Sequence, residues 1–171
     1  MADPWLVVID MQLVFGEPGS PWYAPCFDAV ASRIAAMIPA FGERVVFTRF
    51  IPPTEITGSW VGYYEKWPFA VAAGREDRIW RIAPVFQPGA VVDTHQFSKW
   101  TPDLRRVVGE TPELVLTGVS TDCCVLATAL AAIEDGAQVR VVAEACGAKT
   151  PALQEVALGV MRGRGPQVVV G

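Results

Sequence analysis

Three stretches of this 171-residue chain carry side chains suited to covalent chemistry. Asp10 follows an apolar run at residues 5–9, a place where a carboxylate is costly unless it faces a cleft or a cation. Gly118-Val119-Ser120-Thr121-Asp122-Cys123-Cys124 follows a second apolar run at 114–117. Ser120, Thr121 and Asp122 are all good N-caps, so Cys123 and Cys124 are expected to open a helix. A thiol in that first turn meets the helix dipole and unpaired N–H groups, which favour thiolate and could also hold an oxyanion. The competing reading is two small buried packers, because free cysteine is among the most buried residue types. Lys99, one of three lysines beside Lys66 and Lys149, lies beyond a third run at 90–92. Next to Asp10 and Cys124 it would stabilise both anions and let Asp10 accept the thiol proton and return it to a leaving amine. Otherwise it is a solvated lysine heading a helix at Pro102. Gln12 either orients substrate or holds a loop, and His95 reads as a structural histidine.

These groups need a frame. Runs at 5–9, 45–48, 90–92, 114–117, 139–142 and 168–170 are valine-rich and do not alternate, as expected of strands buried on both faces of a parallel sheet. Helical patterns at 27–41, 102–108, 122–135 and 151–161 fall between them, the third ending at Gly136. The alternation predicts one α/β domain over residues 1–171. In such sheets ligands bind beyond the carboxyl ends of the strands, where strand order reverses, and the acid, lysine and thiol all stand at such ends. Residues 51–88 break the pattern, with a helix expected only at 75–82, and are too long for an idle connection. Trp60, Tyr63, Tyr64, Trp67 and Phe69 in that segment either roof an aromatic pocket or pad the sheet or a subunit interface.

Composition narrows the chemistry. Fourteen Lys+Arg against eighteen Asp+Glu give a net charge of -4, the wrong sign for a phosphate backbone, so no nucleic-acid partner is expected. No apolar run approaches the roughly 18 residues of a membrane span. Met1-Ala2-Asp3-Pro4 lacks the features of a secretory signal, so the expected location is cytoplasmic. Four cysteines (Cys26, Cys123, Cys124, Cys146) are too few for a disulfide scaffold and are expected reduced. A single histidine excludes zinc sites built on several imidazoles, and neither metal nor cofactor is expected.

The strings Val7-Val8-Ile9-Asp10-Met11-Gln12, Val45-Val46-Phe47-Thr48-Arg49 and above all Gly118-Val119-Ser120-Thr121-Asp122-Cys123-Cys124-Val125 resemble the isochorismatase-like cysteine hydrolase family. The resemblance covers nearly the whole chain, and Val141 to Cys146 also matches. It implies a three-layer α/β/α sandwich around a Rossmann-like six-stranded parallel sheet of order 3-2-1-4-5-6. It also implies an aspartate–lysine–cysteine triad, mapped onto Asp10, Lys99 and Cys124, with Cys123 as the variable neighbour. A cis peptide between Val119 and Ser120 would aim the Ser120 and Cys124 N–H groups at one oxygen. In most members the lysine closes the third strand, a slot held here by Thr94. A subgroup carries Phe-x-Lys-Trp instead, as in Phe97-Ser98-Lys99-Trp100, and this assigns Lys99. Nicotinamidase-type members bind metal through residues after the second strand, but Arg49-Phe50-Ile51-Pro52 offers no such ligands, which implies a metal-free subgroup.

The implied activity is hydrolysis of an amide-type C–N bond in a small molecule through a thioester. Alternatives are cleavage of a vinyl ether or lactam on the same fold, a non-catalytic small-molecule-binding homologue, and redox use of Cys123 and Cys124, which lack the two-residue spacer of dithiol oxidoreductases. Phe15, Trp60, Tyr64, Trp67 and Trp100 are the candidate apolar walls, beside Gln12. Family habit and aromatic content imply a homo-oligomer, dimer or tetramer.

Overall fold

The valine-rich runs become strands β1 (Trp5–Ile9), β2 (Val45–Phe50), β3 (Ala90–Thr94), β4 (Glu113–Val119), β5 (Gln138–Gly147) and β6 (Val168–Val170) in a computed structural model that describes residues 3–171. They form one all-parallel sheet of order β3-β2-β1-β4-β5-β6. The helices are α1 (Leu13–Gly16), α2 (Phe27–Met37), α3 (Trp60–Lys66), α4 (Pro68–Ala72), α5 (Pro102–Val108), α6 (Leu126–Glu134) and α7 (Pro151–Arg162). Among the described residues no helix is long and apolar enough to cross a membrane.

Central β1 shows why these strands do not alternate. Leu6 and Val8 enter the core beneath α2, whereas Val7 and Ile9 enter a second core with α5, α6 and α7, and all four are wholly buried. Side chains on successive residues point to opposite faces, so two apolar layers demand an unbroken apolar strand. Each such burial contributes about 1.5–3 kcal/mol. Helices α5 and α7 begin alike: Thr101 and Thr150 accept N–H bonds from Leu104 and Leu153, and a proline holds the first helical position.

Two expectations fail locally. The helix expected at 75–82 is only a 3-10 turn at Arg78–Trp80, and the helices of this segment are α3 and α4. Gly62 inside α3 and Pro68 at the start of α4 hide the helical spacing of Trp60, Tyr63 and Tyr64. The second concerns the helix expected from 122, which opens as a π-helical turn, Thr121–Val125, before α6. The strand order, not the strand direction, reverses between β1 and β4, and the residues leaving those two strands are Asp10 and Ser120.

Candidate active site

Asp10 leaves β1 at a φ of 51°, a left-handed conformation that aspartate tolerates better than most residues. Thr48 on β2 donates its hydroxyl to Asp10 Oδ1 at 2.7 Å. Oδ2 lies 2.9 Å from the Lys99 ammonium and has no hydrogen-bond partner besides this ion contact. Lys99 comes from the loop after edge strand β3, crosses the end of β2 with its ammonium 5.2 Å from the Phe50 ring centre, and also donates to Gln96 O at 2.9 Å. Both charged side chains are fully buried. Burial pulls the lysine pKa down, but the charge of Asp10 and its hydrogen bond to the ammonium oppose it and the net direction is up, so Lys99 stays an ammonium. Thr94, the slot the family lysine usually fills, instead closes the turn by accepting the Gln96 N–H.

The nucleophile candidate sits across β4 from Asp10. The Val119–Ser120 peptide is cis. In the π-helical turn that follows, Ser120 O accepts from the N–H groups of Cys123 and Val125, both at 3.1 Å, and passes over that of Cys124. The Ser120 N–H has no protein acceptor among the described residues. The Ser120 N–H is thus a donor left over beside the thiol, as an oxyanion site requires. The thiolate expected from a helix start is not what the geometry favours. Cys124 is 4% exposed, and its hydrogen bond with Cys123, its burial and the charge of Asp10 raise its pKa well above that of a free thiol, against the pull of Lys99. The resting group is a thiol, and it needs a base. Cys123 is more open, and its hydrogen bond with Cys124 lowers its pKa.

The cavity over these thiols measures about 250 Å³. Phe15, Trp22, Phe50, Tyr63, Trp67 and Phe97 wall it, Ser120, Cys123 and Cys124 form its floor, and Lys149 and Leu153 stand at its margin. Of the expected walls, Phe15 and Trp67 line it, whereas Gln12, Trp60, Tyr64 and Trp100 do not. Gln12 is a clamp: its amide donates to Phe50 O and Trp80 O and accepts from Phe50 N, which uses both ends of the side chain. Trp60 backs Phe97 and Tyr63 from behind, with ring centres 5.0 and 5.2 Å away. Tyr64 is buried facing α4, and Trp100 belongs to the opposite core, donating to Asp135 at 2.8 Å.

Trp22 carries no signal in the sequence, yet its ring touches those of Phe15, Phe50, Tyr63, Trp67, Phe69 and Trp80. It lies in a proline-rich loop without periodicity. Phe50 and Phe97 do carry one, since both stand at carboxyl ends of strands, where apolar side chains meet a ligand as readily as polar ones. Trp22→Ala is expected to widen the cavity and weaken ligand binding more than turnover, read as a rise in KM with kcat little changed.

A family model for the Isochorismatase domain matches residues 4–170. The chain belongs to the isochorismatase family. This isochorismatase domain is similar in structure to the cysteine hydrolase from Pseudomonas syringae pv. phaseolicola 1448A, with a TM-score of 0.80, 19% identity, and coverage of 98% of this chain and 88% of that one. It is also similar to N-carbamoylsarcosine amidase from Thermoplasma acidophilum, with a TM-score of 0.74, 20% identity, and coverage of 99% and 95%. At these identities the likeness shows the fold. Isochorismatase domain-containing protein 2 of Xenopus laevis is 36% identical over 72 residues, which are 40% of this chain and 35% of that protein, so the match spans about a third of the relative's length.

The buried protonated groups of this isochorismatase domain make a stability prediction. Burial raises the pKa of Cys26, Cys146 (to about 12) and Tyr64 (to about 12), and Cys124 moves the same way. Each folded value lies above the unfolded one, so this stability is complete below the unfolded thiol value of 9.0 and is lost as pH rises through the folded values. The urea midpoint is expected to fall between about pH 8 and about pH 11, and a flat midpoint over that range would contradict it.

Proposed function

We propose that this domain hydrolyses an amide-type C–N bond of a small molecule through a thioester on Cys124. One observation carries the reading: a wholly buried Asp10–Lys99 ion pair stands beside a buried thiol, and the carboxylate oxygen facing the lysine has no other partner. In the first half-reaction the Cys124 proton passes to Asp10 Oδ2 as sulfur attacks the carbonyl carbon. The resulting oxyanion accepts from the Ser120 and Cys124 N–H groups. Collapse breaks the C–N bond, and the leaving amine takes the proton from Asp10. In the second, Asp10 removes a proton from water, the hydroxide oxygen displaces sulfur from the thioester, and the proton returns to Cys124 as the acid leaves. Lys99 remains charged throughout and offsets the negative charge that moves between carboxylate and thiol.

Support for C–N cleavage comes from the retained thiol and from the name of one structural neighbour, N-carbamoylsarcosine amidase. The cavity, at about 250 Å³, lies below the roughly 300–1,000 Å³ typical of drug-sized ligands, which favours a small substrate. Aromatic walls favour a flat or apolar acyl part.

Incubation with small activated amides followed by intact-mass measurement tests the proposal. The wild type should gain the mass of one acyl group, and Cys124→Ala should gain none and lose at least about a thousandfold in turnover. Turnover that survives in Cys124→Ala would overturn the reading. Cys123→Ser is expected to retain the adduct and most of the activity, since no step uses that sulfur, and a loss as deep as that of Cys124→Ala would reassign the nucleophile.

A further inference from the structure

The mechanism uses Asp10, Lys99 and Cys124, but none of these accounts for how a lysine from an edge-strand loop finds its place. Its backbone supplies the answer. The Lys99 N–H donates to Thr128 Oγ1 at 2.8 Å, and the same hydroxyl donates to Cys124 O at 2.7 Å. Thr128 is wholly buried in α6, one helical turn beyond the nucleophile. Its hydroxyl thus makes one donated and one accepted bond, and ties the residue that carries the ammonium to the residue that carries the thiol. The other backbone link near Lys99 is the Thr101 N–H on Lys99 O at 2.8 Å, which belongs to the same loop and fixes nothing across the site.

We propose that Thr128 is a positioning residue that sets the distance from the Lys99 ammonium to Asp10 and Cys124, so that the lysine reaches the site from the loop after β3 although Thr94 holds the usual slot. A hydroxyl in a helix interior commonly bonds back to the carbonyl four residues earlier. Here that ordinary bond also orients the oxygen to receive a second chain segment. The inference goes beyond the hydrolytic reading, resting on it only in taking Cys124 as the reactive thiol.

Four groups act on the ionisation of Cys124 or share its charge field: Asp10 at the end of β1, Tyr63 in α3, Lys99 after β3, and Cys123 beside it. Of these only Lys99 lowers the Cys124 pKa. Moving the ammonium away therefore has a defined sign: the thiol ionises at higher pH. Alkylation by iodoacetamide reads this directly and requires no turnover, so the inference and the proposed function fail separately.

The experiment uses the full chain in a Cys26→Ser, Cys123→Ser background, which leaves Cys124 and Cys146 as its thiols, with peptide mass mapping assigning the site of addition. Thr128→Val, near-isosteric but without the hydroxyl, should move the pH midpoint of alkylation up by about one unit, a roughly tenfold slower reaction at neutral pH. Thr128→Ser should restore the wild-type midpoint. In a Lys99→Met background the same Thr128→Val change should leave the midpoint where Lys99→Met alone puts it, because the two substitutions remove one interaction. A midpoint unmoved by Thr128→Val, or an equal shift with and without Lys99, would overturn the proposal and leave Thr128 a packing residue. Should Thr128→Val fail to fold, Thr128→Ala carries the same comparison, with the same outcomes deciding.

Discussion

Asp10→Asn is expected to abolish turnover and to cost about 3–5 kcal/mol of folding stability at once. Asparagine keeps the shape of the carboxylate and can still accept the Thr48 hydroxyl, but it can neither take a proton nor offset the Lys99 charge. Lys99 is fully buried, so the lost pair leaves an ammonium in the core with only Gln96 O and the Phe50 ring for company. Burial is the largest influence on that lysine and acts to lower its pKa, and Asp10 is what reverses the direction. Without Asp10 the folded value drops below the unfolded one. Stability of the variant should then rise with pH up to the unfolded lysine value, about 10.4, opposite in sign to the contribution of Lys99 in the native protein. Urea unfolding of Asp10→Asn across that range, beside the activity assay, checks both parts. The double variant Asp10→Leu with Lys99→Met should recover most of the stability and none of the activity, since an apolar pair needs no compensating charge. A single variant as stable as the wild type would mean that the ion pair is hydrated in solution.

Gly118→Ala should be the most damaging change of a single methyl group in the chain. Gly118 pairs with Ile9 in the β1–β4 ladder at a φ of 111°. An added Cβ would lie 2.0 Å from Ile9 O and 2.7 Å from Ile9 N, both main-chain atoms of the central strand, which have nowhere to move. Conformation and space both forbid the substitution, and a loss above about 4 kcal/mol is expected, seen as insoluble expression or a Tm lowered by tens of degrees. Gly136→Ala is the control. It also has a positive φ, 90°, but its nearest contact is a Thr111 methyl at 3.6 Å, so the cost should stay near about 1 kcal/mol. Equal effects at the two positions would show that conformation alone matters and that the close approach of β1 and β4 does not.

The fold was legible because two-sided burial leaves a coarse mark. A strand such as β1, apolar at every position and bounded by turn signals, fits a sheet covered on both faces and little else. Asp10 and Cys124 were legible for a related reason, since both follow such a strand and the chemistry of open sheets gathers at those ends. Gln12 stands in the same kind of place and misleads. A buried amide beyond a strand can face a ligand or grip backbone, and only the positions of Phe50 and Trp80, both remote in sequence, decide between them. The aromatic segment was opaque because its order comes from ring against ring rather than from a period. The centre of that contact set, Trp22, lies outside the segment. The state of the thiol was hidden because helix-end electrostatics can be argued from local sequence, whereas complete burial next to a carboxylate cannot.

Lys99 also ties the thiol at the centre of the sheet to the margin of the sheet. It reaches Asp10 from beyond β3, the outermost strand, passing over the end of β2. Until that edge has docked, Cys124 lacks the one neighbour that draws it towards thiolate. An opening confined to that margin, with the burial of Cys124 and the charge of Asp10 intact, therefore holds the sulfur further from thiolate. The reactivity of the thiol at the centre of the sheet thus depends on how firmly its outermost strand is held.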